Sequence, residues 1–308
     1  MTRKQFLHLL AASAAGAIVS PTAFAQTDAP DTTTTMLTRA IPVSGEMLPV
    51  IGLGTWIGFD FARDTAGYER LPGVLQALFD AGGSVIDSSP MYGRAEEVAG
   101  ELLDAGGHRP QAFVATKVWT RGRDAGIRQM ETSLQLFRTD QLDLMQIHNL
   151  VDWRTHLATL RDWKAQGRIR YLGITHYNAG AYRDVEAVLR AEPIDFLQIN
   201  YSFGEPEAER RLLPLAAERG VAVLINRPFG GGGLLRRLRD KPLPAWAPEI
   251  GTTSWAQILL KFVLSHPAVS CAIPGTSRPE HMADNALAGF GIVPERAFWE
   301  RHAASIDA

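Results

Sequence analysis

The chain has 308 residues, 46% apolar and 21% charged, enough to bury one large core without requiring a second domain. A formal net charge of -2 supplies no basic surface for nucleic acid or an anionic membrane, so the expected partner is a small molecule. The single cysteine, Cys271, sits in the apolar run AVSCAIP; it excludes an intrachain disulfide and reads as a small core side chain rather than a thiol catalyst.

Residues 1–25 read as a signal peptide. Arg3 and Lys4 precede an Ala-rich run from Phe6 to Val19, which ends near Ala23-Phe24-Ala25, a small-residue cleavage pattern. The run is short for a bilayer span, so no membrane anchor is expected, and cleavage near Ala25 would leave a periplasmic or secreted protein. The stretch from Thr2 to Leu7 resembles a twin-arginine export signal with Lys4 in place of the second arginine; an ordinary secretory signal is the alternative. Residues 26–35, rich in Thr, Asp, Ala and Pro, read as a flexible linker, and the folded unit is expected over 36–308. It opens with two short apolar strands around Ser44-Gly45-Glu46, a hairpin suited to plug one end of a barrel.

Beyond the hairpin, short apolar runs predict strands at 50–53, 84–87, 112–117, 142–148, 171–175, 196–200, 221–226 and 269–274. Amphipathic runs between and after them predict helices at 73–80, 94–103, 125–137, 154–165, 181–190, 205–218, 254–264 and 279–288. This alternation makes the fold α/β, and eight strand and helix pairs favour a closed (β/α)8 TIM barrel with an N-terminal β-hairpin over an open doubly wound sheet. No G-x-G-x-x-G follows the first strand, which also argues against the open sheet.

Polar residues at the carboxyl ends of barrel strands gather at one mouth. Asp87, Lys117 and His148 end the second, third and fourth strands, and Tyr92 follows the second. Singly, each has an ordinary structural reading. Together they form a set that suits carbonyl reduction: a phenol is a poor acid near neutrality, an ammonium stabilises its phenolate, a carboxylate keeps a buried ammonium charged, and an imidazole orients the substrate oxygen.

The segments carrying these residues resemble the aldo-keto reductase superfamily. They are Gly52-Leu53-Gly54-Thr55-Trp56, the run from Ile86 to Gly93 followed by Glu96-Glu97, Thr116-Lys117-Val118-Trp119, and the run from Leu142 to His148; the similarity extends from about Leu37 to Asn285. The resemblance implies a catalytic tetrad of Asp87, Tyr92, Lys117 and His148, with Tyr92 as general acid. It implies cofactor contacts from Thr55, Asp87, Thr175, His176 and Gln198, where Thr175-His176 replaces a Ser-Asn pair. Asn226 stands where a nicotinamide-stacking aromatic is usual; Arg227, Phe229 and Gly230 follow, and Phe229 is one candidate for the missing ring. The glycines Gly230 to Gly233 read either as an amide nest for a pyrophosphate or as a flexible loop. Thr276, Ser277 and Arg278 open a helix that reaches Asn285, and Arg278 is the candidate 2′-phosphate partner. NADPH is favoured over NADH, and no metal is required. Trp56 and Trp119 are expected at the substrate mouth, with core packing as the alternative for Trp56, and Asn149 in place of a tryptophan implies a more open, polar pocket for a small carbonyl substrate.

Other chemistries compete with this reading. Lys117 could serve as a Schiff-base amine in an aldolase. The chain could instead be a nucleotide-binding sensor or regulatory subunit with little turnover, or an exported reductase served by a redox partner that no residue identifies.

Overall fold

The computed structural model describes residues 35–307. The expected signal peptide and all but the last residue of the expected linker lie outside the described residues.

The opening hairpin forms as expected. Strands β1 (Thr38–Ala40) and β2 (Met47–Pro49) pair antiparallel, with Thr38 opposite Pro49, and Gly45 takes the turn at φ +76°. Eight further strands among the described residues run parallel: β3 (Leu53–Gly54), β4 (Val85–Asp87), β5 (Phe113–Val118), β6 (Leu142–His148), β7 (Ile169–Thr175), β8 (Phe196–Asn200), β9 (Ala222–Asn226) and β10 (Cys271–Ala272). Each pairs with the next in sequence order, and bridges from Ile51 to Ala272 and Gly54 to Gly275 join the last to the first. The result is a (β/α)8 barrel.

The helices are α1 (Leu71–Asp80), α2 (Ala95–Ala105), α3 (Arg123–Leu136), α4 (Trp153–Ala165), α5 (Tyr182–Ala191), α6 (Leu212–Glu218), α7 (Gly233–Leu238), α8 (Trp255–Leu264), α9 (Pro279–Leu287) and α10 (Arg296–Asp307). The helix predicted over 205–218 is broken into a 3₁₀ turn, Glu207–Arg210, and α6, because Arg211 leaves helical geometry at φ -144°. Pro214 explains the break: its ring excludes the carbonyl four residues earlier, so a helix can begin just before it but not run through it. The short α7 and the terminal α10 are additional to the predicted set.

Alternation along the strands sorts the side chains. One apolar cluster, including Ile41, Leu48, Val85, Phe113, Leu144, Tyr171, Phe196 and Leu224, fills the barrel from its amino-terminal end. Ile41 and Leu48 come from the hairpin segment, which therefore plugs that end. Tyr171 Oη reinforces the plug by donating to Glu46 Oε2 at 2.6 Å, with Ser44 Oγ 2.8 Å away. The larger cluster packs between barrel and helices. Followed upward by twos, inward positions turn polar: Val85 leads to Asp87, Phe113 and Ala115 to Lys117, Leu144 to Gln146 and His148, Phe196 to Gln198 and Asn200, Leu224 to Asn226.

Close packing between α2 and α3 depends on Gly100. A Cβ there would lie 2.0 Å from the Leu136 carbonyl oxygen and 2.7 Å from Phe137 Cα. Gly100→Ala is therefore expected to destabilise the fold by about 2 kcal/mol despite alanine's better helix propensity, since backbone cannot give way as a side chain can. Urea unfolding would show it as a lower midpoint with an unchanged slope.

Candidate active site

The polar set collects at the carboxyl ends of the strands. Lys117 and Asp87 are both buried; Lys117 Nζ donates to Asp87 Oδ2 at 2.7 Å and to the Ser88 carbonyl at 2.6 Å. Burial pulls the ammonium's pKa down, but Asp87 and Tyr92 outweigh it, and Lys117 ends above its ordinary value. The other Asp87 oxygen, Oδ1, accepts from Gln198 Nε2 at 2.7 Å and from Gln146 Nε2 at 3.2 Å.

Tyr92 lies on the turn after β4, where its amide donates to the Ser89 carbonyl at 3.0 Å. Lys117 Nζ is 5.0 Å from the centroid of its ring. Burial raises the phenol's pKa more than the Lys117 ammonium lowers it, and the Asp87 charge adds to the rise. Tyr92 therefore keeps its proton across the neutral range.

His148 meets the Tyr92 ring edge-on, with centroids 5.9 Å apart. Its Nδ1 is within 3.0 Å of Ser89 Oγ, which leaves the Nε2 edge for a ligand. Burial, followed by the charges of Lys117 and His176, pulls its pKa down to about 2, so the imidazole is neutral. Ser89 and Gln146 belong to this constellation although the sequence reading did not single them out. For Gln146 a signal existed: it shares the inward parity of Leu144 and His148 in a strand that alternates faces.

The residues expected to hold a cofactor fall into two groups. Thr175, His176, Gln198 and Asn226 adjoin one another on β7, β8 and β9: the His176 amide donates to the Gln198 carbonyl at 3.0 Å, and Asn226 Nδ2 donates to the His176 carbonyl at 3.0 Å. Thr55 is buried behind Asp87, with its Oγ1 2.8 Å from Ser88 Oγ and 3.1 Å from the Asp87 carbonyl. The second group lies on the segment leading into α9. Arg278 is exposed, and its Nη1 is 3.9 Å from Glu280 Oε1, a pairing loose enough to exchange for a phosphate. The Arg278 amide donates to Thr276 Oγ1 at 3.1 Å, Ser277 lies between them, and Asn285 is buried about two turns further along α9.

Two expectations in this region are corrected. Phe229 packs into the core around the barrel, so it does not offer the missing stacking face. The glycine run is not an open amide nest, because three of its four amides are engaged locally: Gly230 to the Arg227 carbonyl at 2.9 Å, Gly232 to Phe229 at 3.0 Å and Gly233 to Gly230 at 3.3 Å. Positive φ of +58°, +64° and +84° at Gly230, Gly231 and Gly232 is what that turn requires of glycine.

Trp56 and Trp119 are exposed at 53% and 41%, which places them at the rim rather than in the core; the Trp119 ring is 6.3 Å from that of His148. Ile57, Asn149, Leu150, Asp152 and Arg227 all have positive φ, and all follow carboxyl ends of barrel strands. Strained backbone of this kind persists where the surrounding fold enforces it, commonly at working sites. Cys271 is buried with its thiol pKa pushed far up by burial, in keeping with a core side chain.

The parallel barrel brings a phenol, an ammonium–carboxylate pair and a neutral imidazole to one mouth. The chain belongs to the aldo/keto reductase family, whose model matches residues 50–296, and it is an oxidoreductase. It is 29% identical over 207 residues to the aldo-keto reductase YhdN of Bacillus subtilis, which is 62% of this chain and 61% of that relative, so the match spans about three fifths of YhdN. It is 28% identical over 251 residues to an aldo-keto reductase of Mycolicibacterium smegmatis, covering 78% of this chain and 84% of that one. Among solved structures it is similar to an aldo-keto reductase from Klebsiella pneumoniae in complex with NADPH, with a TM-score of 0.73 and 28% identity over 88% of this chain and 95% of that one.

Proposed function

We propose that the protein is an NADPH-dependent reductase of aldehydes or ketones in which Tyr92 is the general acid. The observation that carries this reading is the fully buried Lys117 ammonium, held 2.7 Å from Asp87 and 5.0 Å from the centre of the Tyr92 ring. A buried ion pair beside a phenol is costly unless it serves a purpose, and stabilising a developing phenolate is one.

The residues at the ends of β7, β8 and β9 fit a nicotinamide. Asn226 Oδ1 is buried without a partner, which leaves a hydrogen-bond acceptor for an amide beside Gln198 and His176. Thr175, His176, Gln198 and Asn226 would hold that end, Arg227 the adjoining turn, and Thr276, Ser277, Arg278 and Asn285 the phosphate end. Bound NADPH supplies the hydride. Neutral His148 orients the carbonyl oxygen through Nε2, Tyr92 gives up its proton to that oxygen, and Lys117 stabilises the phenolate left behind, with Asp87 keeping Lys117 charged. Trp56, Trp119 and Asn149 border the space where the substrate would enter.

A fluorescence titration with NADPH and NADH, followed by addition of aldehydes and ketones, tests the proposal. Tighter binding of NADPH and carbonyl-dependent oxidation are expected. Tight binding without oxidation would instead support a nucleotide sensor, and no binding would sink the proposal.

A further inference from the structure

Asp87 is a buried carboxylate, and each of its oxygens has a different task. Oδ2 receives Lys117. Oδ1 receives two amide donors, one from Gln198 and one from Gln146, whose Nε2 is 3.2 Å away. Gln146 is itself fully buried inside the barrel, two residues before His148 on the same face of β6. A longer contact of 3.4 Å between Gln198 Nε2 and Gln146 Oε1 links the two amides.

The barrel makes room for this side chain. Gly173 is the β7 partner of Gln146 in the strand register, and a Cβ there would lie 3.3 Å from Gln146 Cγ and 2.7 Å from the Phe196 carbonyl oxygen. An apolar residue at 146 would be the ordinary choice for a barrel interior, and a buried glutamine is retained at a cost unless its polar atoms are engaged.

We propose that Gln146 is a positioning residue for the reaction, holding the Asp87 carboxylate turned toward Lys117; this rests on the reading of Lys117 as the ammonium behind Tyr92. An amide N–H can only donate, so it engages Oδ1 as an acceptor and leaves Oδ2 to Lys117. Two donors converging on Oδ1 also fix the carboxylate plane and hence the aim of Oδ2. The other titratable groups around the pair are the Tyr92 phenol, the Cys271 thiol from β10, neutral His148 from β6 and Glu96 from α2. The Cys271 thiol and Glu96 are both pushed by burial toward their neutral forms, which leaves Asp87 as the counter-charge of Lys117.

Removing the amide while keeping its length, as in Gln146→Met, should loosen Asp87 and lower the pKa of Lys117. With carbon-13-labelled lysine, the Lys117 resonance is assigned by its loss in Lys117→Met. In the parent protein it should stay protonated to the alkaline limit of folding, whereas in Gln146→Met it should titrate at least about one pH unit earlier. The alkaline limb of kcat should move in the same direction while NADPH affinity holds. An unchanged Lys117 titration in Gln146→Met would overturn the inference, whatever the turnover. Should that variant not fold, Gln146→Leu removes the same donor with a shorter apolar side chain. Its Lys117 resonance should likewise titrate earlier than in the parent, and a matching titration would overturn the inference. Activity surviving in Tyr92→Phe would count against the general-acid reading alone and leave the test at Gln146 intact.

Discussion

Tyr92→Phe is expected to lower turnover by about 10²–10⁴-fold while leaving cofactor affinity and stability close to those of the parent protein. The substitution removes one hydroxyl and keeps the ring, so the edge-on contact with His148 survives. On the proposed reading, what is lost is the proton that must reach the carbonyl oxygen as hydride reaches its carbon. Water is a poor replacement, because its proton donation is neither positioned nor assisted by Lys117. The raised phenol pKa sharpens the expectation: Tyr92 is protonated throughout the neutral range, so on the proposed reading the donor would be loaded and Lys117 would supply its acidity at the moment of transfer. Steady-state kinetics together with a cofactor titration would check it. Near-normal turnover in Tyr92→Phe would show that the proton comes from elsewhere.

Lys117→Met is expected to impair both turnover and stability. Without the ammonium, the phenolate left by Tyr92 has no counter-charge, and turnover should fall by about 10²-fold or more. Stability suffers for a separate reason: Asp87 remains buried, now as an unpaired carboxylate, and breaking one partner of such a pair costs about 3–5 kcal/mol. The amides of Gln146 and Gln198 still donate to Oδ1 and soften that penalty. The sign of the pH dependence follows from which form burial disfavours. A buried charge without a partner is the penalised species, so the deficit relative to the parent should be largest at high pH, where carboxylates are ionised, and shrink at low pH, where they are protonated. Combining Lys117→Met with Asp87→Asn removes the buried charge and should recover much of the stability but none of the turnover. Urea unfolding at two pH values separates these effects; a double variant as unstable as the single one would mean that lost packing, rather than unpaired charge, set the cost.

Much of the fold was legible because its signals are local. Apolar runs of strand length alternating with amphipathic runs sufficed for the barrel, and Ser44-Gly45-Glu46 sufficed for the hairpin. The error at 205–218 came from reading periodicity without weighing Pro214. The α10 helix escaped notice because its buried anchors, Trp299 and Ile306, are seven residues apart, with charged residues and small alanines making up most of the positions between them. At the site, Asp87, Lys117 and His148 were readable as polar residues ending apolar strands, since such residues have few alternatives to a role at the mouth.

By itself the sequence determined the type of each element, the order of the strands and which residues stand at their carboxyl ends, because periodicity, turn residues and strand alternation act over a few neighbours. The tertiary structure decided what those residues do to one another. Net pKa directions at Tyr92 and Lys117 depend on whether burial or a neighbouring charge wins, and both depend on distances set by strands far apart in sequence. The same holds for the two amides on Asp87 Oδ1, which come from strands two and four places along the barrel from β4, for the loss of Phe229 to the core, and for the local engagement of the glycine amides. Each is a matter of which groups converge in space once the barrel closes, and that convergence has no counterpart along the chain.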